Sequence, residues 1–305
     1  MKCWNLSMDQ ADQHSPRPRS NGNANCELHA VTYLSPGIPL AFFEQICDHL
    51  ARTLDCSITL HSEPRLSGPM HGDLDPFAEG RADIGFLCSP SYLYLREQLE
   101  PSVELVPAGF VFADERSQGQ PIYFSEVVVR ADHPARQFTD LLGSSWGYND
   151  ECSLSGYFAT LQKLSELGSK PEFFRRQTRT GSHHASIEMI LSGAIDVATI
   201  DSVALRLLLH ERPELRQQLH VLDSFGPFPI QPVVVRSTLG ANWATRIGTA
   251  LMNLDHRHVQ EQLSPAFGLL CCAPIDEAVY ADEHRALCRL GQIKIKPLPQ
   301  LNSPS

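Results

Sequence analysis

The feature that most constrains this chain is a change of hydrophobic period, repeated from Leu28 onward. "LHAVTYL" alternates apolar and polar residues and is rich in β-formers, which predicts a strand. "SPGIPL" is a turn with Ser35 placed to cap the next helix. "AFFEQICDHLARTL" puts Phe42, Phe43, Ile46, Leu50 and Leu54 on one helical face. "CSITLHSE" predicts a second strand and "RLSGPMHGDLD" a turn-rich loop. "PFAEGRADIGFL" predicts a short helix, a glycine stop and a third strand from Ala82 to Leu87. This β-α-β-α-β opening predicts an α/β fold with a largely parallel sheet covered by helices.

The alternation then resumes. Helices are predicted in "SYLYLREQLE", in the run directly after "SLSG", in "SIEMILSG", in "SVALRLLLHERPEL" and in "NWATRIGTALMNLD". Strands are predicted in "VELVPAGFVF", "PIYFSEVVVR", around Ser145–Tyr148, up to Asp201, and on both sides of the proline-rich joint in "LHVLDSFGPFPIQPVVVRS". The units "PFAEGRADIGFL" and "MILSGAIDVATID" resemble each other, which points to two similar α/β lobes. A glycine C-cap common to any helix-to-strand unit explains the same likeness.

Composition narrows the function. The chain has 305 residues, 42% of them hydrophobic and 20% charged, enough for a substantial core. A net charge of −10 argues against nucleic acid or an anionic membrane surface as a partner. A small anion answers to local dipoles instead. No run of about 18 apolar residues is present, so no membrane span is predicted. The nine cysteines are scattered and contain no C-x-x-C, so neither a metal nor a redox motif is predicted, and no cofactor. Free, mostly buried thiols in a reducing compartment are expected. Residues 1–27 lack the apolar core of a signal peptide and read as a disordered polar tail, and 291–305 as a C-terminal tail.

The chemistry-bearing stretch is "YNDECSLSGYFATLQKL". Ser153, Ser155 and Gly156 stand directly before a helical run. A helix N-terminus has unsatisfied N–H groups and a positive dipole end, so a serine there serves either as a cap or as part of an anion seat. In "GSHHAS", Ser182 is a cap, and His183 and His184 fall in the first turn. A neutral imidazole there can donate to an anion, though exposed histidines are the alternative. Asp201 ends a buried-looking strand, where α/β sheets gather ligands, and also stands where it would cap the next helix.

The order "WGYNDECSLSGYFATLQKL … GSHHASIEMILSGAIDVATIDS" resembles the phosphate, phosphite and phosphonate substrate-binding proteins of bacterial ABC transporters, and "GRADIGFLCSPSYLYL" fits the same pattern. The resemblance extends from about Leu28 to about Tyr280. It implies a two-lobed type II periplasmic-binding-protein fold with a ligand cleft between the lobes. Lobe 1 would comprise 28–125 and 235–290, and lobe 2 would comprise 126–234. The crossings would lie near Pro121–Arg130 and Phe228–Arg236. It implies a small phosphorus oxyanion as ligand and an ABC permease as partner. Ser153 and Ser155 would hold the oxygens, with N–H groups from Ser155 and Gly156. His183 would contact the anion and His184 would face away. Tyr33 and Ser35, then Leu87, Cys88 and Ser89, are the first-lobe candidates. The family implies periplasmic export, whereas the chain as it stands reads as cytoplasmic.

Three departures matter. Leu154 occupies the middle of the hydroxyl trio, Gln231 stands where an amine-recognising acid is expected, and Leu87 replaces an aromatic. They argue against an aminoalkyl ligand. Two rival readings stay open. One is an enzyme or sensor on the same fold, with His183 and Asp201 as a base pair and Cys88 or Cys152 as nucleophile. The other is a partner-binding protein that has lost its ligand. No P-loop or G-x-G-x-x-G is present.

Overall fold

The computed structural model describes residues 26–35, 37–64, 67–240 and 242–291. The expected tails therefore lie outside the described residues, except for Cys26 and Glu27, which begin the first strand, and Gly291, which ends the described chain. In chain order the first strands are β1 (Cys26–Thr32), β2 (Cys56–Ser62), β3 (Ile84–Phe86), β4 (Val103–Leu105), β5 (Gly109–Phe112) and β6 (Ile122–Arg130). Then come β7 (Ser145–Tyr148), β8 (Arg176–Arg179), β9 (Val197–Asp201), β10 (Leu219–Pro229), β11 (Val233–Arg236) and β12 (Leu269–Ala273). The main helices are α1 (Leu40–Leu54), α2 (Ser89–Arg96), α3 (Ala159–Glu166), α4 (His183–Leu191), α5 (Ser202–Glu211) and α6 (Trp243–Met252). A further helix covers Ala281–Arg289.

Two five-stranded sheets repeat one plan. The first has the order β2-β1-β3-β11-β4 and the second, read from the matching edge, β8-β7-β9-β6-β10. In each, three strands run parallel and the next is antiparallel: β11 against β3, and β6 against β9. The likeness of the two sequence units thus appears as a likeness of topology. The sheets are mixed, however, and not largely parallel as the sequence predicts. The reason is that each sheet receives a strand next to where the chain crosses between lobes, β6 in one direction and β11 in the other, and each enters antiparallel. A separate antiparallel pair joins β12 to β5.

Local chemistry sets the elements. In α1, Phe42, Phe43, Ile46, Cys47 and Leu50 are buried on one face, each large side chain contributing about 2 kcal/mol. The helix ends at Asp55, whose left-handed conformation (φ 54°) returns its N–H to Ala51 O. The expected short helix at "PFAEG" is a set of turns. Asp75 Oδ1 accepts from Phe77 and Ala78 N–H, while Arg81 and Ala82 N–H both return to Pro76 O, so the chain closes before a helix can propagate. In the second lobe, Trp146 stacks on Tyr157 at 5.6 Å and packs on Phe174 at 5.3 Å, which fixes β7 beneath the helix that comes after it.

The cysteine expectation needs correction. Cys26 and Cys56 are register partners at the first rung of the β1–β2 ladder, with Cα atoms 4.6 Å apart, and form a disulfide. Cys47, Cys88, Cys152 and Cys272 are buried free thiols. Among the described residues no helix is long and apolar enough to cross a membrane. No cluster of three or more His, Cys, Asp or Glu among them is placed to hold a metal ion.

Candidate ligand-binding cleft

The carboxyl ends of the parallel strands of both sheets converge on one small cavity of about 50 Å³. From the first sheet come Tyr33 and Ser35 after β1, Ser67 after β2 and Cys88 after β3. From the second come Asn149, Asp150, Ser153 and Ser155 after β7, Ser182 and His183 after β8, and Asp201 at the end of β9. Gln231 comes from the joint between β10 and β11. Among the described residues no Lys or Arg lines it.

Helix N-termini face this space, among them those capped by Ser153 and Ser182. Ser153 caps a π-helical turn, Leu154–Phe158, that runs into α3, and its Oγ accepts from Gly156 N–H at 3.0 Å. A serine oxygen that accepts still has its own proton to donate, so the cap and the anion seat are compatible. The backbone here is held from behind: Ser125 Oγ donates to Ser155 O at 2.6 Å, and Thr199 Oγ1 donates to Gly156 O at 3.0 Å. Ser182 Oγ caps α4 by accepting from Ala185 N–H at 3.0 Å, which orients His183 inward. His183 is buried and its Nδ1 has no hydrogen-bond partner among the described residues. Burial pushes its pKa down to about 4, so the ring is neutral at physiological pH. His184 is half-buried and does not line the cavity.

The acids are held in place by donors. Asp201 Oδ1 accepts from Val203 and Ala204 N–H at 2.7 and 3.1 Å, and Oδ2 accepts from Gln231 Nε2 at 2.5 Å. Burial raises its pKa to about 6, against the pull of those donors. Asp150 Oδ1 accepts from Cys152 N–H, and Oδ2 accepts from Ser67 Oγ at 2.7 Å and from Asn149 Nδ2 at 3.0 Å. Burial raises its pKa too. The Ser67–Asp150 bond joins the two lobes, as does Leu154 N–H to Cys88 Sγ at 3.3 Å.

Ser153, Ser155, His183, Asp201, Tyr33 and Ser35 thus meet at one cavity. Two expected members do not line it. Gly156 has its N–H on Ser153 Oγ, and a Cβ there would lie 1.7 Å from Asn149 Oδ1. Its missing side chain makes room for Asn149, not for a ligand. Ser89 is fully buried behind the cleft, near Glu283. Leu87 and Leu154 are core residues. Ser67, Asn149 and Asp150 went unpredicted, since each lies in a loop with no periodic signal.

The nucleophile candidates are protonated thiols. Burial pushes Cys152 up to about 12 and Cys88 well above the ordinary thiol range.

A family model described as the periplasmic substrate-binding protein of a phosphonate ABC transporter matches residues 40–280. The phosphonates-binding periplasmic protein of Escherichia coli K12 is 27% identical over 151 residues, a match spanning 48% of this chain and 44% of that protein. Among solved structures, PhnD1 of Prochlorococcus marinus MIT 9301 in complex with methylphosphonate superposes with a TM-score of 0.71 at 16% identity. It covers 88% of this chain and 99% of that one. A binding protein component of an ABC phosphonate transporter from Pseudomonas aeruginosa gives 0.71 at 16% identity, covering 86% and 85%. The fold is the two-lobed type II binding-protein architecture, and the chain belongs to the family of periplasmic phosphonate substrate-binding proteins of ABC transporters.

Proposed function

We propose that this chain captures a small phosphorus oxyanion (phosphonate, phosphite or phosphate) in the periplasm and delivers it to an ABC permease. Ser153 and Ser155 hold the oxygens from a helix N-terminus, and His183 donates from the start of α4. Tyr33 and Ser35 close over the anion from the first lobe. The observation that carries this reading is the convergence of Ser153, Ser155 and His183 on one small cavity lined by hydroxyls and helix N-termini in place of basic side chains. The Cys26–Cys56 disulfide supports an oxidising compartment. The hinge lies at the two stretches where the chain passes between sheets, at the start of β6 and between β10 and β11.

Thermal unfolding with methylphosphonate, phosphite, phosphate and acetate at matched ionic strength tests this. A ligand at about one hundred times its Kd stabilises by about 2.7 kcal/mol, a rise of several degrees in Tm. The phosphorus oxyanions should give it and acetate should not. Ser155→Ala and His183→Ala should abolish the rise, and His184→Ala should keep it. No rise with any phosphorus oxyanion at millimolar concentration rejects the proposal.

A further inference from the structure

Two amides in the cleft are each turned by a neighbouring carboxylate. Gln231 gives Nε2 to Asp201 Oδ2, and Asn149 gives Nδ2 to Asp150 Oδ2. An ionised carboxylate only accepts, so each amide must direct its NH₂ toward it and its carbonyl elsewhere. Both carbonyl oxygens, Gln231 Oε1 and Asn149 Oδ1, are buried without a hydrogen-bond partner among the described residues. Asn149 Oδ1 occupies the space a Cβ on Gly156 would need, whereas Gln231 Oε1 has no such neighbour among the described residues. Gln231 lines the cavity at 6% exposure. A buried orphan acceptor calls for a donor. A fully ionised oxyanion has none to give, whereas the monoanion keeps a P–OH. The lining carboxylates of Asp150 and Asp201 also penalise a second negative charge on the ligand.

We propose that the cleft takes its oxyanion as the monoanion, a hydrogen phosphonate, hydrogen phosphite or dihydrogen phosphate, with Gln231 Oε1 accepting a hydrogen bond from a P–OH of the ligand. This rests on the phosphorus-oxyanion reading above and adds to it a protonation state and a specificity-determining residue. It also predicts rejection of sulfonates, which have the same shape and a single charge but no proton to donate.

The test compares methylphosphonate with methanesulfonate by calorimetric titration, from about pH 5.5 to about pH 9. Several groups facing the cavity affect both ligands: Asp150, Asp201, His183, Tyr33 and Cys88, with Glu126 acting on Asp201 and Glu283 on Cys88. The ratio of the two affinities cancels these and isolates the ligand's own proton. Methylphosphonate should bind about 10- to 100-fold more tightly while singly protonated. Above its second ionisation that advantage should fall by about tenfold per pH unit. Gln231→Met should lower the methylphosphonate-to-methanesulfonate affinity ratio, because any effect passed through Asp201 falls on both ligands. Equal binding of the two ligands, or a ratio that is flat or rises with pH in the wild-type protein, overturns this proposal and leaves the oxyanion reading standing. Binding of neither overturns both. Should Gln231→Met fail to fold, the wild-type ratio decides alone.

Discussion

Glu283 shows how far a single residue can shift the stability of this molecule with pH. It lies on the helix Ala281–Arg289, buried, with neither carboxylate oxygen in a hydrogen bond of normal geometry among the described residues. Burial pushes its pKa up to about 8, and the nearby Ser89 hydroxyl only partly opposes this. The folded value lies above the unfolded one, so the native state binds the extra proton. Stability is full below the ordinary carboxylate range and is lost as pH rises through about 8. Glu283→Gln should therefore match wild type near pH 5 and exceed it near pH 9, on the order of a few kcal/mol. Denaturant unfolding at both pH values checks this, and equal stabilities at the alkaline end would mean the carboxylate is solvated. Asp201 has the same sign over a lower window, up to about 6. His183 has the opposite sign: its folded pKa is depressed to about 4, so stability is full above the ordinary histidine value and falls as pH drops toward 4.

At the scale of elements, the turn from β7 into α3 depends on Gly156. An alanine there would drive its Cβ into Asn149 Oδ1, and Asn149 would have to release Asp150. Gly156→Ala should cost about 1–3 kcal/mol, and adding Asn149→Ala should restore part of that loss. Unfolding midpoints of the two single variants and the double variant check this, and a Gly156→Ala protein as stable as wild type would show that the turn yields freely. The helical start at "SLSG", the cap at Ser182 and the strand ending at Asp201 were legible, because capping residues and period changes are local signals. Ser67 and Asp150 were not, because they bond at a sequence separation of 83 and neither sits in a periodic run. Ser89 was misplaced because sequence puts it after a strand but does not tell which way its hydroxyl turns at the start of α2. Strand direction was illegible too. "VVVR" occurs in both β6 and β11, and a buried strand reads as the same apolar run whether its neighbours are parallel or antiparallel.

At the scale of the whole molecule, the cleft is closed by bonds whose two ends belong to different sheets. Ser67 is held in the first lobe by Cys88 N–H, which donates to Ser67 O at 2.8 Å, and it reaches across to Asp150. The opposite crossing runs from Leu154 N–H to Cys88 Sγ. Such bonds exist only while the lobes are together, so they stabilise the closed form without depending on contact with the ligand. Removing one should raise Kd through faster opening, since a typical net hydrogen bond is worth about 1 kcal/mol and differences within one site appear mostly in the off-rate. Ser67→Ala is the suitable variant. Asp150 keeps Asn149 Nδ2 and Cys152 N–H as donors, so no bare carboxylate is left buried. We expect a Kd about three- to tenfold higher for methylphosphonate, with the on-rate and the ligand-free Tm near wild type. Stopped-flow dissociation separates this from direct contact. An unchanged off-rate with a slowed on-rate would place Ser67 in ligand capture instead of closure.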